Sequence, residues 1–326
     1  PTAVPVSYKG EYHYRSGSTK QELKGAALDN FLLRKQGRRW DAVPVPGVKV
    51  ADLDPKALQR FRQRAALSQR VSAELLQDDD AGLIDKLHLM DGGRLKRAAV
   101  LLFHSEPERY VSGAFVKIGR FGPAGELRSH DEIRGPVLTQ VDQCLDVLRN
   151  KYLTATVAFA GEQRIERYPV PEAALREALL NALAHKDYAG ASPVQISAYD
   201  DRVLFWNNGE LHPGWTVATL TAKHPSQPYN PDMANVLFRA GLIEAWGCGI
   251  DRMIAACAEA DTPPPRLRVD ASGVWLELAF RFEAAAGPRP ESRPESRPES
   301  RPESRLESRL ESALAAKVLV QLSEAP

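Results

Sequence analysis

The chain has 326 residues, enough for two domains that each bury a core, with the composition of an ordinary soluble protein. Its 43 Lys and Arg against 42 Asp and Glu leave a net charge of +1, which argues against a uniformly basic nucleic-acid binder. Cys144, Cys248 and Cys257 have neither metal spacing nor the look of a disulfide framework, and neither a signal peptide nor an apolar run of about 18 residues is present. A reducing cytoplasm is the expected location.

The opening "SYKGEYHYRSGSTKQ" alternates polar and aromatic residues and reads as an edge strand and turn. "TKQELKGAALDNFLLRKQG" has helical periodicity, and the stretch from "DPKALQRFRQRAAL" to "DDDAGLIDKLHLM" is mostly helical. "RLKRAAVLLFHS" and "GAFVKIGRF" are strand-like runs. "GPVLTQVDQCLDVLRNKYL" places Val137, Val141, Leu145 and Leu148 on one helical face. "YPVPEAALREALLNALAHKDY" is one helix, with Pro171 near the first turn, where its missing N–H costs least. "SPVQISAYDDRVLFWNNGEL" reads as a hairpin, "DMANVLFRAGLIEAWGCGIDRMIAACAEAD" as two helices joined through "EAWGCG", and "RLRVDASGVWLELAF" as a second hairpin.

The expected fold class is α/β: a two-layer sandwich with one sheet covered on one face, preceded by a smaller mixed α/β module. The expected divisions are 1–44, 45–150, 151–284, 285–312 and 313–326. Residues 285–312 hold the repeat "RPESRPESRPES", in which recurrent Pro blocks helix and alternating Arg and Glu stay solvated, so a disordered linker is expected. Residues 313–326 read as an amphipathic helix with no obvious partner, and the chain begins at Pro1 rather than Met. Both ends are expected to continue in a longer protein.

In "REALLNALAHKDYAG", Glu177, Asn181 and His185 recur every four residues and form a polar stripe on an apolar helix. A solvated helix face is one reading. The other is a buried carboxylate and amide that need partners, which a metal with a phosphate would supply. Asn181 suits the second, because its side chain competes with the backbone in an exposed helix. Asn207, Asn208 and Gly209 close a strand, as a plain turn or as a close approach to a ligand. Gly247 and Gly249 lie where one helix ends and another begins, as a cap or as a phosphate cradle.

The order E-x-x-x-N on a helix, N-x-G after a strand and G-x-G at a helix start resembles the GHKL-type ATP-binding core of gyrase, heat-shock chaperones, sensor histidine kinases and MutL-type proteins. "YPVPEAALREALLNALAHKDY", "DDRVLFWNNGEL" and "LIEAWGCGIDRM" more closely resemble the C-terminal domain of RecG-like transcriptional regulators, over residues 135–280. In that family a Schlafen/AlbA-like DNA-binding domain comes first, whose closing strand "GEYHYRSGS" resembles. A winged helix often comes last, and "SALAAKVLVQL" resembles its first helix.

The resemblance implies ATP and Mg²⁺ as cofactors, with Asn181 as the Mg²⁺ ligand and Glu177 as the group that polarises attacking water. It implies adenine contact at Asn207, a backbone passage under the base at Gly209, and phosphates lined by Gly247 and Gly249. His185 and Asp187 are read as structural. Two departures point to binding rather than fast turnover: Asn207 is neutral where the ATPases carry Asp, and "WGCG" is shorter than their glycine-rich lid. No G-x-x-x-x-G-K-[ST] loop is present, which excludes a P-loop helicase for these residues. The expected function is a nucleotide-switched module of a DNA-binding regulator. DNA would be bound through domains largely outside this chain, and a homo-oligomer is expected. The rival is a nucleotide-free oligomerisation scaffold, and a slow ATPase is a third reading.

Overall fold

A computed structural model describes residues 6–16, 19–25, 28, 31–33, 39–160, 163–222, 224–244 and 247–280. Pro1–Glu283 form one compact unit. The repeat segment at 285–312 and the helix expected at 313–326 lie outside the described residues.

Three short strands come first: β1 (Val6–Tyr8), β2 (Glu11–Ser16) and β3 (Thr19–Leu23), paired antiparallel in that order. The helix expected from Thr19 is therefore a strand over its first five residues. There, pairing with β2 from Ser16↔Thr19 to Tyr12↔Leu23 overrides a local helical pattern.

The next segment is helical, with α1 (Pro55–Ser68), α2 (Ala73–Gln77) and α3 (Asp80–Lys86), each capped by an Asp or Ser side chain. A two-residue-strand hairpin, β4 (Met90–Asp91) and β5 (Arg94–Leu95), leads into α4 (Arg97–Phe103). That last segment corrects the sequence reading, which took it for a strand. Ala98 to Phe103 are all fully buried, and α4 packs against α1, α5 (Val137–Val147) and α8 (Pro231–Arg239). An element apolar all round has no readable period, so burial and not pattern separates helix from strand here.

One six-stranded mixed sheet organises the rest. Its strands are β6 (Val116–Phe121), β7 (Leu127–Ile133), β10 (Val194–Ala198), β11 (Arg202–Asn207), β12 (Arg266–Asp270) and β13 (Gly273–Ala279), in the order β12-β13-β11-β10-β6-β7. Only β10 and β6 run parallel; the other neighbours are antiparallel. Residue 150 thus lies between strands of a single sheet. A separate hairpin, β8 (Thr156–Ala160) and β9 (Gln163–Arg167), precedes helix α6 (Glu172–His185).

The register sorts the two faces. Leu276, Phe205, Ile196 and Ile118 stand opposite one another across four strands and are all buried. Helices α5 and α6 cover this face, and α9 (Gly249–Glu259) packs on α6. One residue over, the row Trp275, Trp206, Gln195 and Lys117 lies on the opposite face, because side chains alternate along each strand. Asn207 shares the inward face with Phe205, so the end of β11 delivers an amide beneath the helices. In strand β7, Asp131 accepts from Lys151 and Tyr152, and Glu132 pairs with Lys117 and Arg134. Among the described residues no helix is long and apolar enough to cross a membrane.

Candidate functional site

Helix α6 owes its form to Ala and Leu, strong helix formers, with Pro171 capping its start. Its buried residues include Leu175, Ala178, Leu179 and Ala182, yet the polar stripe is also drawn inward. Glu177 is only 9% exposed and Asn181 is half-buried, so the solvated-face reading does not hold for the carboxylate. The stripe opens onto a cavity lined by Glu177, Asn181 and His185 from α6, Asn207 from β11, and Gly247 and Gly249. Ala178, Phe205, Met253 and Leu276 give it an apolar floor.

Two contacts define the carboxylate. Asn181 Nδ2 donates to Glu177 Oε1 at 3.3 Å, which leaves the amide oxygen as the acceptor end of Asn181. Arg252 lies 3.9 Å from Glu177 Oε2. Burial pushes the Glu177 carboxyl above the usual carboxylate range, and Arg252 and Asn181 offset only part of that. Gly249 sits so close that a Cβ there would stand 2.1 Å from Glu177 Oε1, so the start of α9 meets the carboxylate only because position 249 has no side chain. Gly247 has φ +70°, and a Cβ on it would fall 2.7 Å from the His224 carbonyl oxygen.

The remaining expected residues divide. Asn207 lines the cavity, but its Oδ1 already accepts from Gly209 N–H at 2.8 Å. An amide oxygen has two lone pairs, so one remains for a ligand. Gly209 itself is not among the lining residues; a Cβ there would lie 2.7 Å from the His185 carbonyl, a packing reason for glycine. His185 lines the cavity, and burial, then His212 and His224, lower its pKa to about 4, so it is neutral at pH 7. Asp187 lies past the helix end and accepts from Ala189 N–H.

The opposite wall was not read from the sequence at all. It comes from residues 210–229, around the short helix α7 (Val217–Leu220), which bring His212, Trp215, His224 and Tyr229 to the cavity. His212 stacks on Tyr229 at 5.2 Å and meets Trp215 edge-on at 5.4 Å. Four aromatic or imidazole rings within eighteen Pro- and Gly-punctuated residues were the available signal. Asn230 was also missed. It is buried, and its Nδ2 donates to the carbonyls of Ala184 and Lys186, tying off the end of α6. Arg252 was given no role from the sequence, although it lies in "LIEAWGCGIDRM" three residues after Gly249.

Residues 191–278 match a family described as "Putative ATP-dependent DNA helicase recG C-terminal". That match supports a RecG-like ATPase-type domain over those residues. The match contains Asn207, Gly247, Gly249 and Arg252, and starts after Glu177 and Asn181. Among solved structures the fold is similar to the DIP2311 protein from Corynebacterium diphtheriae, with a TM-score of 0.60 and 22% identity over 83% of this chain. The chain spans about half of that protein, 53% of its length. No curated protein matches it.

Proposed function

We propose that this cavity binds Mg-ATP and that the nucleotide acts as a conformational switch in a DNA-binding transcriptional regulator, with slow or no hydrolysis. One observation carries the reading: a buried carboxylate and an amide on α6 meet a side-chain-free helix start from the RecG-like ATPase-type stretch 191–278 at one cavity.

The donor set fits the metal. Mg²⁺ is usually held by one or two protein oxygens, with substrate phosphates and waters completing its shell. Asn181 offers its amide oxygen as that protein ligand. Among the described residues no group of three His, Cys, Asp or Glu could hold a metal alone, so a metal that arrives with phosphate suits this cavity better than an all-protein site. When bound, Mg²⁺ would neutralise phosphate charge. Glu177, with a raised pKa, is placed to accept a proton from a water at the cavity wall. Asn207 would offer its second lone pair to a base amino group, and Gly247 and Gly249 would admit the phosphates. Two features favour binding over fast turnover: a neutral Asn207 loosens hold on the base, and "WGCG" is shorter than the glycine-rich lid of the ATPases.

Calorimetric titration with Mg²⁺ and a non-hydrolysable ATP analogue tests this, beside Asn181→Ala. Saturable heat that vanishes in the variant is expected. Absence of heat and of any thermal shift at millimolar ligand would instead support the nucleotide-free scaffold. Glu177→Gln should remove any turnover while binding stays.

A further inference from the structure

Resting on that nucleotide reading, we propose that Arg252 is the anion-binding residue of the cavity and grips the ligand's phosphates. The charged side chains lining it are Glu177, Glu210 and Glu244 against Arg252, the one Arg or Lys among the described lining residues. With His185 neutral, a polyphosphate entering this cavity meets three carboxylates. One cation is there to receive it.

Arg252 has no close anionic partner where it stands. It lies in the first turn of α9, where the helix field favours negative charge and opposes a cation. Its ion pairs do not compensate, because Glu177 Oε2 is 3.9 Å and Glu244 Oε1 3.8 Å away, against about 2.7–2.9 Å for a charge-assisted hydrogen bond.

Arg70 shows what a committed arginine looks like in the same neighbourhood. It donates to Glu244 Oε1 at 2.7 Å and to the Phe238 and Ile243 carbonyls at 3.0 and 2.8 Å, and its guanidinium covers the Phe238 ring. Glu244 is thus already satisfied by Arg70. Arg252, with a 47% exposed side chain, stays between two loose partners.

A phosphate beside Arg252 would reverse each of these terms. The guanidinium would gain a bidentate partner, and the anion would enjoy both the guanidinium and the helix field. Arg252 would also stand between the phosphate and Glu177, screening two like charges in a site where burial already disfavours the carboxylate. A ligand without phosphates would gain none of this, so Arg252 sets a preference for nucleotide over nucleoside.

The experiment uses the 326-residue chain and three ligands: adenosine, ATP with Mg²⁺, and inorganic tripolyphosphate with Mg²⁺. Arg252→Gln should weaken ATP at least tenfold, about 1.4 kcal/mol, while adenosine affinity stays within twofold. Arg252→Lys should recover part of the loss, and a thermal melt should show both variants folded. Equal losses for ATP and adenosine, or an unchanged ATP affinity in Arg252→Gln, would overturn the role of Arg252. Tripolyphosphate binding that depends on Arg252, without adenosine or ATP binding, would keep the anion site and sink the nucleotide reading. Wild-type protein that binds none of the three would sink both.

Discussion

The middle and the end of helix α6 handle polar groups in opposite ways. At its middle, Glu177 and Asn181 face a cavity, bond weakly to each other and have only a distant Arg252 beyond. At its end, Lys186 is fully buried and Asn230 closes the backbone, bonding the Ala184 and Lys186 carbonyls at 3.0 and 2.8 Å. The Lys186 amine has no hydrogen-bond partner and rests 4.1 Å from the centre of the Tyr188 ring. Nearby, buried Asp41 accepts from the first-turn N–H groups of Asp232 and Met233 at the start of α8. Sealed polar groups hold the fold together or strain it. Groups left open to a cavity are free to serve a ligand.

The comparison is broken most forcefully at the sealed end. Asn230→Ala leaves two buried carbonyls unpaired, and at about 1–3 kcal/mol each we expect a loss of about 3 kcal/mol in urea unfolding. A loss under 1 kcal/mol would mean that water takes over the cap.

Asp41 gives the next effect. Burial raises its pKa to about 7, outweighing the two N–H groups that favour the charged form. The folded state then binds more protons than the unfolded state between about pH 4 and pH 7, so this group's contribution falls as pH rises through that window. Asp41→Asn keeps an acceptor for the helix start and removes the charge. We expect it to flatten the decline in melting temperature between pH 5 and pH 8, with a gain on the order of 1–3 kcal/mol at pH 8. An unchanged slope would show that Asp41 stays ionised.

Lys186 carries the opposite sign. Burial lowers its pKa to about 8, so the folded state binds fewer protons and this group destabilises the protein below about pH 8, a deficit relieved as pH rises toward 10.5. Lys186→Met should raise the melting temperature at pH 7, by a stabilisation of about 1–2 kcal/mol, and lose that advantage at pH 10. A lower melting temperature at pH 7 would assign Lys186 an attractive role with the Tyr188 ring.

At the open middle of α6 the expected stability effects are smallest. Asn181→Ala should change stability by less than about 0.5 kcal/mol, since it removes one long, part-buried hydrogen bond. A larger loss would make the open middle structural too, and would weaken the contrast on which the nucleotide reading rests.

The sequence by itself determined those elements whose residues meet water on one side and core on the other. The periods of α1, α5, α8 and α9 and of the two hairpins were legible for that reason. The stripe on α6 and the glycines at the start of α9 were legible as chemistry, because Glu and Asn are out of place on an apolar helix and paired glycines let a ligand approach a helix start. Where burial is complete or pairing is long-range, local pattern carries no information. Hence α4 looked like a strand and β3 like a helix.

Tertiary structure alone decided that Gly249 touches Glu177, that residues 210–229 wall the cavity, and that Asn230 rather than a local residue closes α6. It also separated Arg70, bonded to two carbonyls and a carboxylate, from Arg252, held loosely at a cavity. Charge and spacing are properties of the chain. Which charges are left uncompensated is set by what folds against them.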